Sequence, residues 1–166
     1  MTADLIIRPF AWSDVSTITA IYRHYVQTSV VTFDTEAPPE TFMAEKFGHM
    51  ADLGHPVIVG ESGGEVVGYA YASSFRPRPA YRFTCEDSVY LHPDAAGKGF
   101  GSALLGDLIV RSKTFGFRQM IAVITAGTAP SIKLHEKHGF RLLGTYPELG
   151  FKFDRWLDIV HMQRAL

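Results

Sequence analysis

The residues best placed to do chemistry stand in one run, Gly97-Lys98-Gly99-Phe100-Gly101. Glycines let a backbone take positive φ and come close to a ligand. Successive N–H groups can then face a single anion. A helix starting at this point adds unpaired N–H donors and a partial positive charge, so the run suits a phosphate. Lys98 adds a full charge. Taken alone, the run also fits a plain turn ahead of a helix. It is not the nucleotide-hydrolase loop, which needs Gly-Lys-Ser/Thr after four intervening residues. Nor is it the dinucleotide fingerprint, because the third glycine comes too soon and no acidic ribose-binding residue follows the next strand. His135 and His138 are three apart and have metal-ligand chemistry. No third or fourth ligand is evident, so no metal site is expected.

These residues need elements to hold them. Leu5 to Phe10 reads as a short strand ended by proline. Ser13-Asp14 offers an N-cap before Val15, Ile18, Ile21, Tyr22 and Tyr25, which recur at helical spacing. Pro38-Pro39-Glu40 opens a second helix, with Phe42, Phe47 and Met50 expected inside. Gly54-His55-Pro56 breaks it. Pro56 to Gly60 and Val66 to Ala72 read as strands joined by the turn Ser62-Gly63-Gly64-Glu65. Two prolines make Arg76 to Ala80 a loop, and Phe83 to Leu91 a further strand. Leu104, Leu105, Leu108 and Ile109 form the apolar stripe of a helix from about Gly99 to Phe115. The run Met120 to Ile124 suits a strand buried on both faces. A helix begins at Thr128-Ala129-Pro130-Ser131 and ends at Gly139, a good C-cap. Phe140 to Thr145 and Trp156 to Met162 are the closing strands. The sequence therefore describes a mixed α/β domain spanning 1–166.

Bulk properties narrow the class. The chain has 166 residues, 46% of them hydrophobic, which is enough for one core. Its formal net charge of -1 gives no support for a nucleic-acid partner. No apolar run approaches the roughly 20 residues that span a bilayer, so no membrane partner is expected. The start, Met1-Thr2-Ala3-Asp4, lacks the pattern of a secretory signal. The lone cysteine, Cys85, has no internal partner, and a cytoplasmic location follows. Strand alternation turns it away from Glu86, so it reads as a small buried hydrophobe.

The segments Ser88-Val89-Tyr90-Leu91-His92-Pro93 and Ala96 to Leu105 together resemble the acetyl-CoA motif of the GNAT-type N-acetyltransferases. The segment from Ala129 to Phe140 resembles that superfamily's last helix and its Gly-Phe exit. Glu86 to Tyr90, Leu134-His135-Glu136 and Gly150 to Asp158 are similar to the phosphinothricin and methionine sulfoximine acetyltransferase subgroup. Ile21-Tyr22 and Thr32-Phe33 fit it too, so the resemblance covers nearly the whole chain. Two positions depart from it. Ala96 stands where members usually carry Gln or Arg, and Thr128 where the last helix often begins with Asn. Backbone donors are then left to hold the pyrophosphate.

The resemblance implies a single-domain GNAT-like fold, with a mixed, mostly antiparallel central sheet flanked by helices. It implies acetyl-CoA as co-substrate and direct transfer of acetyl to the α-amine of a small amino-acid analogue, as a detoxifying activity. Glu86 would be the base that frees the amine, and His135 the acid that protonates the leaving thiolate. A packed helix histidine remains the other reading of His135. Acetyl-CoA would be held by Val89, Tyr90, Leu91, Gly97, Lys98, Gly99, Phe100, Gly101, Ser102, Thr128 and Lys137, with the Leu91 N–H polarising the thioester carbonyl. Substrate contacts are expected from Arg76, Pro77, Arg78, Glu86, Asp87 and Ser88. Trp156 would wall the amine pocket or sit in a homodimer contact. Other substrates, a different small amine or a protein N-terminus, stay open, as does a non-catalytic acyl-CoA sensor.

Overall fold

The order of elements follows the apolar periodicity. In the computed structural model, which describes residues 4–166, β1 (Ile6–Pro9) is followed by α1 (Val15–Thr28), α2 (Glu40–Asp52), β2 (Val57–Ser62), β3 (Glu65–Ser74) and β4 (Thr84–Leu91). Then come α3 (Phe100–Phe115), β5 (Gln119–Thr125), α4 (Ala129–Lys137), β6 (Arg141–Lys152) and β7 (Arg155–Ala165). Met1 to Ala3, part of the segment read above for a secretory signal, lie outside the described residues. Among the described residues no helix is long and apolar enough to cross a membrane.

The seven strands form one sheet in the order β1-β2-β3-β4-β5-β7-β6. Every neighbouring pair is antiparallel except β4 and β5. Alternation along each strand feeds two cores. Val57, Val59, Tyr69 and Tyr71 pack with Ile18, Ile21 and Phe47 of α1 and α2. Ile58, Ala70, Ala72 and Cys85 pack on the opposite face with Leu104, Leu105 and Leu108 of α3. Burying each such leucine contributes about 1.5–3 kcal/mol. These fully buried leucines fix where α3 begins, and so where its N-terminus points.

The feature that makes room for a site is the parting of β4 from β5. They pair only from Thr84 to Glu86, opposite Gln119 to Ile121. Among the described residues they make no further pairing. β4 continues with β3 as far as Leu91 opposite Gly68, while β5 continues with β7 as far as Thr125 opposite Ile159. A wedge opens between them.

Several sequence expectations need correction. Val123 is 39% exposed, so the Met120 to Ile124 run is not buried on both faces. The wedge exposes it. Phe42 is 53% exposed, and Met43 takes the inside position instead. Met43, Phe47 and Met50 are spaced i, i+4, i+7, which is the true stripe of α2. The last two strands are longer than expected, and Phe153 and Asp154, at φ 53° and 56°, turn the chain between them. That is the geometry of a tight hairpin turn, built without the Asn-Gly pair that usually announces it.

Candidate active site

A cavity of about 520 Å³ occupies the wedge. Its walls come from Glu86 to Leu91 of β4, Ala122 to Thr125 of β5, Gly101 at the start of α3, and Ser131, Leu134 and His135 of α4. Glu86 and Ser88 stand opposite Ser73 and Tyr71, so they share the face that carries Tyr71 and the α1–α2 core. Asp87 stands opposite Ala72 and belongs to the α3 face. Neighbouring residues thus look to opposite faces, yet both line the cavity, because it passes through the gap in the sheet.

Glu86 is partly buried. Burial raises its pKa above the ordinary carboxylate value, and the charge of Asp87 adds to this. Lys46 and Arg76 pull the other way without cancelling the rise. Lys46 is placed by donating to the Tyr71 hydroxyl at 2.8 Å, with its ammonium over that ring at 4.7 Å. A base moved toward the working pH is more useful for taking a proton from an amine.

On the other face, His135 Nε2 lies 2.9 Å from Asp87 Oδ2, and its Nδ1 lies 2.7 Å from the Ser131 carbonyl. The two side chains are 6% and 2% exposed. Burial alone would lower the pKa of His135. The hydrogen bond and charge of Asp87, with the Ser131 carbonyl, outweigh it, and the pKa is raised. His138 does not join this pair; its Nε2 meets Ser102 Oγ at 2.9 Å. Among the described residues no group of three or more His, Cys, Asp or Glu could hold a metal. Cys85 is fully buried, and burial pushes its thiol up to about 12. That is the environment of a packing residue rather than a nucleophile.

The glycine run lies where β4 hands over to α3. Gly97 and Gly99 have φ 76° and 82°, and among the described residues nothing beyond their chain neighbours lies within 4 Å of where a Cβ would stand on either. Gly99 is the N-cap of α3, and no side chain caps it. The ladder there starts with the Ala103 N–H on the Gly99 carbonyl at 3.1 Å. The N–H groups of Phe100, Gly101 and Ser102 therefore fall in the first turn, where a helix supplies no acceptor. An open backbone cradle with unpaired donors fits a pyrophosphate, and the β4 edge beyond Glu86 fits the arm attached to it. Thr128 lines the cavity, but its hydroxyl donates to the Thr125 carbonyl. Lys98 and Lys137 are exposed and lie off the cavity wall, as do Arg76, Pro77 and Arg78. Of that loop, Arg76 reaches Glu86 by its charge.

The sequence did not single out the clasp around residues 30–34. Thr125 Oγ1 donates to the Val30 carbonyl at 2.6 Å, and Lys152 Nζ to the Thr32 carbonyl at 2.8 Å. Tyr22 donates to Asp34 Oδ2 at 2.6 Å. Phe33 lies so close to Gly150 that a Cβ there would run into its ring. This holds Val31, Thr32 and Phe33 on the cavity wall. Tyr25 donates to the Leu91 carbonyl at 2.6 Å and anchors the end of β4. These partners are 66 to 120 residues apart for Tyr25, Thr125 and Lys152, so no local spacing signals them. Trp156 is 61% exposed, packs on Phe151, and does not line the cavity.

A parted β4–β5 pair with an anion cradle at the next helix defines a protein that can take a long, phosphate-bearing ligand through its sheet. The comparisons agree. The family model described as Acetyltransferase (GNAT) family matches residues 18–140. The phosphinothricin N-acetyltransferase of Alcaligenes faecalis is 46% identical over 92% of this chain and 78% of its own. The L-methionine sulfoximine/L-methionine sulfone acetyltransferase of Salmonella typhimurium is 39% identical over 93% of this chain and 90% of its own. A solved phosphinothricin acetyltransferase from Sinorhizobium meliloti, in complex with acetyl-CoA, superposes with a TM-score of 0.95 at 48% identity, covering 100% of this chain and 89% of that one. The chain belongs to the GNAT acetyltransferase family. It is an N-acetyltransferase, and its acetyl donor is acetyl-CoA.

Proposed function

We propose that this enzyme acetylates the α-amine of a small amino-acid analogue of the methionine sulfoximine, methionine sulfone or phosphinothricin type, in the cytoplasm and as a detoxifying reaction. The observation that carries this is the place of Glu86, a carboxylate lining the cavity on the α1–α2 side of the gap, with Lys46 and Arg76 near enough to act on its charge. Relatives 46% and 39% identical are named for those substrates. Bound in the wedge, acetyl-CoA supplies an activated acetyl thioester. Gly97 to Ser102 hold its pyrophosphate through backbone donors, and the edge of Val89, Tyr90 and Leu91 aligns its arm. Glu86 takes the proton that the ammonium must lose before it attacks. His135, across the gap, gives a proton to the sulfur that departs. Arg76 suits the carboxylate of the analogue, because a guanidinium binds paired oxygens.

A panel of amines tests the substrate. With acetyl-CoA and a thiol reagent, release should be fastest with methionine sulfoximine, methionine sulfone or phosphinothricin. It should be slower with ordinary amino acids and with peptides carrying a free N-terminus. Fastest release with a peptide N-terminus, or none with the three analogues, would overturn this reading.

The same proposal includes a homodimer. Leu149, Phe151, Phe153 and Trp156 are all more than half exposed and cluster at the β6–β7 turn. A contiguous apolar patch of this kind needs a cover. A second copy fits, since the patch lies on the back of the strand whose buried Gly150 packs on Phe33 of the cavity wall. Sedimentation should give twice the 18.4 kDa chain mass. Trp156→Glu should shift it to the monomer, and a monomer in the parent at all concentrations would remove the proposal.

A further inference from the structure

The sequence places Asp87 among the substrate contacts. Its position in the structure gives it other work. It lies on the α3 face of β4, opposite to Glu86, with Oδ2 on the imidazole of His135. The His135 ring is held at both ends. Nδ1 faces a carbonyl oxygen, which can only accept, so that nitrogen carries a hydrogen. Nε2 faces a carboxylate oxygen. A shared proton there belongs to the ring, because imidazole, with a pKa of about 6.5, is a stronger base than aspartate at about 3.9. Both nitrogens are then protonated while the ring keeps a single orientation. The other carboxylate oxygen, Asp87 Oδ1, is buried without a hydrogen-bond partner among the described residues. Both residues line the cavity.

We propose that Asp87 is a positioning residue: through the Oδ2–Nε2 hydrogen bond it orients His135 and keeps it doubly protonated, loading the proton that the departing thiolate takes. The inference rests on the acetyl-transfer reading above. When the carbon–sulfur bond breaks, the electron pair stays on sulfur. The Nε2–H bond of His135 then breaks and an S–H bond forms, leaving a neutral imidazole still bonded through Nδ1 to the Ser131 carbonyl. A thiolate, whose thiol has a pKa of about 8.5, takes this proton more readily than a carboxylate does. Asp87 therefore holds the proton without competing for it when sulfur is present.

The surroundings leave one carboxylate to act on His135. From β4 Asp87 meets His135, and the titratable groups flanking Asp87 are Cys85 and Glu86. Its own helix presents Lys133, Glu136, Lys137 and His138, and Arg164 of β7 bonds the His138 carbonyl. Phe140 meets the ring edge-on with centroids 4.9 Å apart, and the β5 wall, Ala122 to Thr125, carries no titratable group. Asp87 is the carboxylate in contact with His135. The raised pKa of His135 agrees with this geometry.

The test is a carbon-detected NMR titration of the His135 ring in the protein without substrates, assigned with His135→Gln. The parent should titrate above pH 6.5, and Asp87→Asn at least one unit lower. In kinetics, Asp87→Asn should move the alkaline limb of kcat/KM, which reports the free enzyme, down by the same amount, since above that limb a one-unit drop cuts the protonated fraction about tenfold. The acid limb should move down as well, because the charge of Asp87 helps to raise Glu86. A His135 titration unchanged by Asp87→Asn overturns the inference even if acetyl transfer is normal. If Asp87→Asn does not fold, the parent decides alone, and a His135 pKa at or below 6.5 overturns it. Failure of the amine panel would leave the titration result standing, so the two readings fail separately.

Discussion

Glu86→Gln is expected to lower kcat by about 10²–10⁴-fold, the range that a positioned general base supplies, with little change in acetyl-CoA affinity. Glutamine keeps the shape and the hydrogen-bonding carbonyl but cannot accept a proton. The cavity should stay intact, because among the described residues Glu86 makes no hydrogen bond to another side chain that the variant would break. The pH dependence separates a base from a mere contact. In the parent, burial and Asp87 raise the pKa of Glu86. The carboxylate form exists above that pKa, so activity is lost as pH falls through it. Glu86→Gln has no such group, and its residual rate should climb with pH as more of the amine becomes neutral. Initial rates of thiol release over pH 5 to 9, with the binding of CoA measured separately, check both statements. Parent-like turnover would remove Glu86 as the base. A matching loss of CoA affinity would show that the residue only shapes the cavity.

How much of this was legible beforehand depends on how local each signal is. The helix over Phe100 to Phe115 follows from Leu104, Leu105, Leu108 and Ile109, which sit within a few residues of one another. The anion cradle follows from three glycines within five positions. What joins distant parts of the chain left no mark. Val123 belongs to an unbroken apolar run, and it is exposed only because β4 leaves β5 after Glu86. That parting is a property of two strands, not of either sequence. Lys152 is buried against the Thr32 carbonyl 120 residues away, a pairing that no local spacing announces. Asp87 shows the same limit at the site itself. Alternation separates it from Glu86, but only the packing of α4 reveals that its partner is His135. The turn at Phe153-Asp154 was missed for a different reason. Two non-glycine residues take positive φ there, against their own preference, because the long β6–β7 ladder holds them.

Gly99→Val should weaken acetyl-CoA binding by about a hundredfold or more, and it can be separated from a simple fault in folding. Gly99 has φ 82°, where a β-branched residue is strained by about 1–3 kcal/mol. Among the described residues, and apart from its neighbours in the chain, no atom lies within 4 Å of its Cβ position, so a Cβ there has open space around it. The new side chain stands in the open space that the cradle leaves for phosphate. If the backbone relaxes to negative φ, the N-cap of α3 is lost and the N–H groups of Phe100 to Ser102 no longer converge. If it does not relax, the isopropyl group occupies the ligand's place. Either route lowers affinity. Gly63 supplies the control. It has φ 63° and equally open surroundings, but it sits in the β2–β3 turn and not in the connection from β4 to α3. Gly63→Val should therefore lower Tm through the same backbone strain and leave CoA affinity at the parent level. Calorimetric titration of CoA into both variants, each with its Tm, checks the pair. Equal affinity in Gly99→Val and the parent would mean that the pyrophosphate is held elsewhere. Equal loss in both variants would mean that glycine strain, not the cradle, sets the binding.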